Sequence, residues 1–591
     1  SLAFQDVAPE LSKLEAKAVS KVKAFLLEQF AILRKPKTNI QIQQQNRLLR
    51  LKGFISFIKQ HNQVAYKEIR TNYTETVGAV LLSHFRVYLS HVSSLEAKMA
   101  SRVDVIGAYE GGPSAPSSSS SSAVASGLSG VSNFFSQMKL SALNQAGADR
   151  TRGPGSSQNG KCFELGERGA ILTKLDESAV VPHVAESQGV RMSCEEIFRS
   201  INKLLLDSSS SEFIFSTEFF RENNIFQETM GEVMDLITEH LSGWVQDIHD
   251  PIGLLLMIRI NYFHRLVMQR RRLPCLDAYM DNVNMTLWPK LKLALDNQLQ
   301  SLNNCQVSLI KHSPGRTSGG AGARFSVDAK LAKHVEGITK RFSDLLLSLV
   351  ILNQDFNQGQ LQHSMERLTA TMEDLLLSLA KGIKQAAHQG GSKSGVSASA
   401  SFLVNNYGSV VHTLSNGVDS FSSFNAQVRE AANHSQRESQ GGQGTSLDDY
   451  SKKLLEHFED LYTSNVSLYV EEELLVHLSD MIAFVKKVEQ ELTLSSGETS
   501  EISAEEKDRA RGILGHFRGS WQAAIQQLNK QVHGDYSSVS EATAKEVLKA
   551  TLTQLLLYYT RFVEVIKQIA PELVKDSVTI PSIMYEIKKF R

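Results

Sequence analysis

An all-α protein is the reading imposed by three features of this sequence. Prolines are few, apolar residues recur at helical spacing over long stretches, and strand-like alternation is almost missing. The 591 residues include only 12 prolines, so long segments run without the ring that breaks a helix interior. Several stretches carry apolar residues three or four apart, which gathers them on one helix face. Only 170–175 and 180–184 alternate enough to be short strand candidates.

Taken in order, Leu11, Leu14, Ala18, Val22, Phe25 and Leu33 form the first stripe. That helix is expected to end at Lys35, because Pro36 disfavours α geometry in the residue before it. Ser193-Cys194-Glu195-Glu196 has the spacing of a capping box ahead of Ile197 and Phe198. Asp250-Pro251 places a good N-cap before a proline at the first helical position. Further stripes are Met365, Leu368, Met372, Leu375, Leu376 and Leu379, then Val470, Leu474, Leu478, Met481, Val485 and Val488. The strongest runs through Leu548, Leu552, Leu555, Leu556, Tyr559, Phe562, Val563, Ile566 and Ile569.

Stretches rich in Gly, Ser, Gln or charge interrupt these helices at 110–160, 312–325, 387–401, 433–446 and 495–503. Such composition buries too little apolar surface to offset the entropy of ordering, so disordered insertions are expected there. The implied organisation is an N-terminal helical segment at 1–109, an insertion at 110–160 and a central helical domain at 161–311. A loop at 312–326, a helical domain at 327–432 broken at 387–401, a loop at 433–446 and a C-terminal bundle at 447–591 complete it. No repeat of fixed period appears, which argues against a regular solenoid. Consecutive helical bundles joined by loops suit an extended rod.

Composition narrows the function classes. Lys plus Arg and Asp plus Glu both total 63; a general nucleic-acid binder would carry a basic excess. The four cysteines are scattered without metal-ligand spacing, which suits reduced thiols in a cytoplasmic chain. The longest aliphatic run, at 252–258, is ended by Arg259, far short of the roughly 20 residues that cross a bilayer. No secretory signal opens the sequence, and because it begins at Ser1 further chain is expected upstream.

Motifs with chemistry are scarce. Gly155, Gly160 and Lys161 approach a P-loop, but Cys162 stands where the magnesium-binding hydroxyl belongs and no strand leads into it. His183, His249 and His264 read as helix-end or surface residues, and Glu471-Glu472-Glu473 as a solvated helix face. Asn72, Asn284, Asn433 and Asn465 match glycosylation sites by chance, and Trp244, Trp288 and Trp521 read as packing anchors. No catalytic residue, cofactor or metal site is expected. The densest basic cluster is Arg270-Arg271-Arg272 with Arg259 and Arg265 upstream. It can contact anionic lipid headgroups or an acidic partner. Closure of a helix C-terminus, where cations complement the dipole, is the preferred reading.

An ordered series of segments resembles the vacuolar protein sorting-associated protein 52 family. It runs from Leu33-Arg34-Lys35-Pro36 through Glu68-Ile69-Arg70, His84-Phe85-Arg86-Val87-Tyr88 and Leu165-Gly166-Glu167-Arg168. It continues through Arg270-Arg271-Arg272-Leu273-Pro274, Leu287-Trp288-Pro289-Lys290 and Thr553-Gln554-Leu555-Leu556 to Ser582-Ile583-Met584-Tyr585. The Ser/Gly-rich insertions depart from the family, and its N-terminal coiled-coil region is expected to be largely absent before Leu11. The resemblance implies a helical-rod (CATCHR-type) subunit of the Golgi-associated retrograde protein complex GARP and of its endosomal counterpart EARP. It further implies the other subunits, SNAREs and Rab-type GTPases as partners. Peripheral attachment to trans-Golgi network and endosome membranes follows, with no nucleic acid and no small-molecule substrate. A helical enzyme or GTPase regulator has no support in the sequence.

Overall fold

The computed structural model describes residues 2–35, 38–108, 161–222, 224–311, 329–353, 359–389, 395–433, 449–494, 504–536 and 541–590. Among these the chain is all-α, as its sequence predicts. Sixteen helices appear, and the only β pairing is an isolated bridge between Glu96 and Met192. The insertions expected at 110–160, 312–325, 433–446 and 495–503 lie outside the described residues, apart from Asn433 at a helix end.

The described residues divide into two compact units. The first holds residues up to Val105 and the described parts of Ser122–Asn297 and Phe421–Gly442. It contains α1 (Leu2–Leu33), α2 (Ile40–Gln43), α3 (Lys52–His61), α4 (Gln63–Ser94), α5 (Pro182–Ser187), α6 (Cys194–Phe220), α7 (Ile225–Trp244) and α8 (Pro251–Arg270). Most of α9 (Asp277–Lys311) also belongs to it. Helix α4 packs against α1, α3 and α7, and α6 packs against α8. Aromatic rings fill the centre, Tyr73 lying 5.2 Å from Phe30 and 5.1 Å from Phe220 between centroids. The Asp250 carboxylate accepts from the Ile252 amide at 3.0 Å with Pro251 at the first helical position, as the sequence predicts. The expected capping box opens α6, with Glu196 accepting from the Ser193 amide at 2.8 Å.

The second unit contains α10 (Ala329–Asn353), α11 (Gly359–Gln389), most of α12 (Gly395–Asn433), α13 (Asp449–Leu494), α14 (Ala504–Tyr536), α15 (Glu541–Ile569) and α16 (Ile580–Lys588). Helix α15 is its axis, packed between α13 and α14. Phe517 stacks on Tyr559 at 4.6 Å, and Phe484 meets Phe562 edge-on at 5.9 Å. Beyond α15 a short 3-10 segment turns the chain into α16, and the Tyr559 hydroxyl fastens it by donating to the Val578 carbonyl at 2.7 Å. The stripes read at 365–379 and 470–488 are buried throughout. Leu478 leaves helical geometry (φ −129°, ψ 22°) and bends α13 within its stripe.

Four expectations need correction. In α1 the buried positions are Val19, Leu26, Phe30 and Leu33, whereas Leu11, Leu14 and Phe25 are exposed. Periodicity shows that a helix has an apolar stripe but cannot choose between two adjacent ones. The helix also stops at Leu33, two residues before the predicted end. The strand candidates instead fall in a 3-10 segment, Gly166–Thr173, and around α5. Of the break at 387–401, residues 390–394 lie outside the described residues and the rest is helix, with Ser397, Ser399, Ala400 and Ser401 packing inward from α12.

A fully buried ring on α15 and an exposed leucine on the same helix give opposite expectations. Phe562→Ala should cost about 3–5 kcal/mol, while Leu557→Ala, at a position 49% exposed, should stay within about 0.5 kcal/mol. Urea denaturation followed by circular dichroism measures both.

Candidate functional site

Two hydrogen-bonded clusters of buried carboxylates stand out in the first unit. At one, the N-termini of α6 and α8 converge on Arg168. Its guanidinium donates to Glu195 at 2.7 and 3.0 Å, and also to Asp250. Burial would raise the Glu195 carboxyl, but the Arg168 hydrogen bonds and charge overcome it and hold the group below its ordinary value. Asp250 goes the other way: burial pushes it up, Arg168 opposes, and the neighbouring Glu195 charge adds to the rise. Arg168 therefore serves Glu195 first. Cys194, Glu195 and Asp250 place potential metal-ligating atoms within 4.8 Å of one another, but the cation among them is Arg168. Gly253 permits the close approach, since a Cβ there would lie 2.6 Å from the Cys194 sulfur.

The other place joins α4, α6 and a π-helical turn, Gln44–Leu48. Gln44 Nε2 donates to Glu212 at 2.7 Å and to the Tyr73 hydroxyl at 2.8 Å, and Tyr73 donates to Glu212 at 3.0 Å. Burial pushes the Glu212 carboxyl up to about 7 against these hydrogen bonds.

The second unit has a comparable cluster. The Ser397 hydroxyl donates to Glu473, and Tyr469 donates to Asp535 at 2.8 Å. Burial raises both carboxyls. Glu473 thus corrects the solvated-face reading of 471–473: Glu471 is exposed, but Glu473 is buried. His264 is a second correction, because it is buried and desolvation holds it down to about 3. His183 is exposed and His249 half-buried. Gly155 and Gly160 lie outside the described residues, and Cys162 is buried in a short 3-10 turn. None of the four cysteines is in a disulfide, and burial raises every one of the thiols.

The five arginines singled out by sequence are not one patch. Arg259 is buried with its guanidinium 5.2 Å from the centre of the Phe263 ring. Arg265 donates to Asp281 at 2.6 Å, and Arg271 donates to Ser210 at 3.2 Å. Arg270 closes α8 and Arg272 follows in the left-handed region (φ 58°). The Leu273 amide returns to Met268 O and the Arg272 amide to Gln269 O, both at 3.0 Å. That pair of bonds is a Schellman closure with arginine where glycine is usual. Arg270, Arg271 and Arg272 are exposed.

One surface feature bears on association. Val7, Leu11 and Leu14 are 52%, 55% and 65% exposed, and Phe25 is 42% exposed. With the half-buried Ala18 they fall at steps of four, three, four and seven, the 3.5-residue repeat of a coiled-coil seam. The polar networks were not legible in sequence, since Arg168 meets Asp250 across 82 residues. A strong capping signal at both helix starts was the one local hint.

A multi-bundle helical protein with a coiled-coil seam on its first helix is the class these features define. A family model described as "Vps52, C-terminal" matches residues 143–440, and one described as "Vps52/Sac2 family, coiled-coil" matches 1–58. The coiled-coil match includes the residues before Leu11. Vacuolar protein sorting-associated protein 52 A of Arabidopsis thaliana is 34% identical over all of this chain and 70% of its own length. The human homologue of vacuolar protein sorting-associated protein 52 is 26% identical over all of this chain and 69% of its own. The Saccharomyces cerevisiae protein is 24% identical over 53% of this chain and 51% of its own. The chain belongs to the Vps52 family.

Glu212 makes stability depend on pH. Its folded-state pKa of about 7 lies above the ordinary 4.5, so the folded chain holds the proton more tightly than the unfolded one. This contribution, on the order of 3 kcal/mol, is complete below pH ~4.5 and is lost as pH rises through ~7. Glu212→Gln should flatten that slope, read from urea midpoints between about pH 5 and 7.5.

Proposed function

We propose that this chain is a non-catalytic subunit of a multisubunit tethering complex. The complex captures endosome-derived vesicles at the trans-Golgi network for retrograde transport and supports SNARE-mediated fusion. Family membership and the relatives' sorting-associated names support a protein-sorting role. The tethering role within GARP and EARP, the Rab-type GTPase and SNARE partners, and peripheral attachment at trans-Golgi and endosome membranes rest on the family resemblance. No described helix is long and apolar enough to cross a membrane, which accords with peripheral attachment.

The observation that carries the reading is the seam on α1. A helix that leaves Val7, Leu11 and Leu14 in water gains by laying them against helices of other subunits. Each fully covered aliphatic side chain contributes about 1.5–3 kcal/mol, so covering Val7, Leu11 and Leu14 favours association. Leu11→Glu with Leu14→Glu should leave the circular dichroism of the purified chain unchanged and reduce co-purification with the other GARP subunits at least about tenfold, since charges replace seam positions. Undiminished co-purification would sink the reading.

A second reading follows from Arg270 and Arg272, which are exposed and have no acidic partner among the described residues. They offer charge to anionic lipid headgroups. Phosphatidylserine vesicles should float with the parent chain and release the Arg270→Glu/Arg272→Glu variant. A parent chain that stays at the bottom of the gradient removes this reading.

A further inference from the structure

Within the second unit, α15 and α16 leave an open apolar groove of about 260 Å³ between them. Leu552 and Leu556 of α15 line one wall, and Ile587 and Phe590 line the other, with Met584 at the lip, 45% exposed. The inner edges of these walls belong to the packed core, where Leu552 is buried and Leu556, Ile587 and Phe590 pack against it. The groove is thus preformed and backed by rigid structure.

Its rim has one sign of charge. Lys545 and Lys549 stand one turn apart on α15, and Lys588 lies on α16 across the groove. Lys545 already pairs with Glu541 at 2.7 Å. Lys549 and Lys588 are exposed and have no acidic partner among the described residues. An apolar floor with unpartnered ammonium groups on both banks selects a ligand with an apolar ridge and acidic flanks.

Size and shape narrow the class. Small-molecule pockets usually occupy about 300–1,000 Å³ and converge several polar groups on their ligand. This groove is smaller, and apart from the lysines its polar lining is Thr553. Along α15 it runs from Lys545 to Leu556, roughly 16 Å at 1.5 Å per residue. Three helical turns of groove match the ridge that an amphipathic helix presents through side chains at i, i+4 and i+7.

We propose that the α15–α16 groove docks a short, acidic, amphipathic helix of a partner protein. This site is independent of the α1 seam and of the arginines at the end of α8. It gives the C-terminal unit a recognition surface of its own, in which leucine-type anchors supply contact and the lysines choose the charge of the flanks.

The test uses the full chain and a displayed library of randomised 16-residue helical peptides, with enriched sequences synthesised and their binding measured by fluorescence anisotropy. The expected consensus has apolar residues at i, i+4 and i+7 with Asp or Glu beside them. Lys549→Glu/Lys588→Glu should weaken binding at least about tenfold, as should Met584→Glu at the lip. Lysine-flanked versions of the same peptides should recover binding to the double lysine variant. All three positions are exposed, so unchanged circular dichroism is expected and secures the comparison. Absence of that consensus, or equal binding to the parent and double variant, overturns the proposal. So does flotation on phosphatidylserine vesicles that depends on Lys549 and Lys588 without any peptide consensus, which would assign the groove to an anionic membrane surface.

Discussion

With no sheet among the described residues to organise them, the helices of this protein can be stable only in pairs and triples, because each one has a stripe that water penalises. Isolated helices are marginal, and most of their stability in proteins comes from covering that stripe. In the second unit α15 meets the requirement on two sides, between α13 and α14, and its large rings are accordingly buried. In the first unit α4 has the equivalent place against α1 and α7. Where the requirement is not met among the described residues, the uncovered part is a surface for association. The seam on α1 and the groove beside α15 are the two clearest remainders.

One cluster of buried charge lies at a helix junction. Arg168 neutralises two carboxylates at the N-termini of α6 and α8, whose own dipoles already favour negative charge. The cluster is thereby an orienting device: one guanidinium fixes the starting points of two helices that also pack along their lengths. Glu212 follows a different rule. It has no cation partner in its network, takes hydrogen bonds from Gln44 and Tyr73, and is driven toward its neutral form by burial. The same fold thus contains one carboxylate kept charged by a cation and another pushed toward neutrality by its surroundings.

Much of the architecture was legible because helix signals are local. Stripes, caps and the Asp250-Pro251 start depend on residues within a few turns of each other. The misreadings came where the deciding contact is distant. Leu11 and Val19 are both apolar residues on α1, and the positions of α3 and α4 make one core and the other surface. Glu473 sits in an acidic triplet that looks solvated, yet the approach of α12 places Ser397 against it. The serines of 397–401 look like linker composition, but small side chains also let two helices approach closely. The arginine cluster was legible as a helix end, while the dispersal of its five members depended on Phe263, Asp281 and Ser210.

The four cysteines, none in a disulfide, have a practical consequence. Only the thiolate reacts readily with alkylating reagents, and burial raises Cys162 and Cys305 to about 12 and Cys275 to about 11. In the folded chain the buried thiols are therefore shielded twice, by access and by protonation. A reagent can reach Cys162 or Cys194 only when the first unit opens, and Cys305 only when the second does. The molecule thus has a native timer in each half, and their separate labelling rates would reveal whether one half loosens before the other.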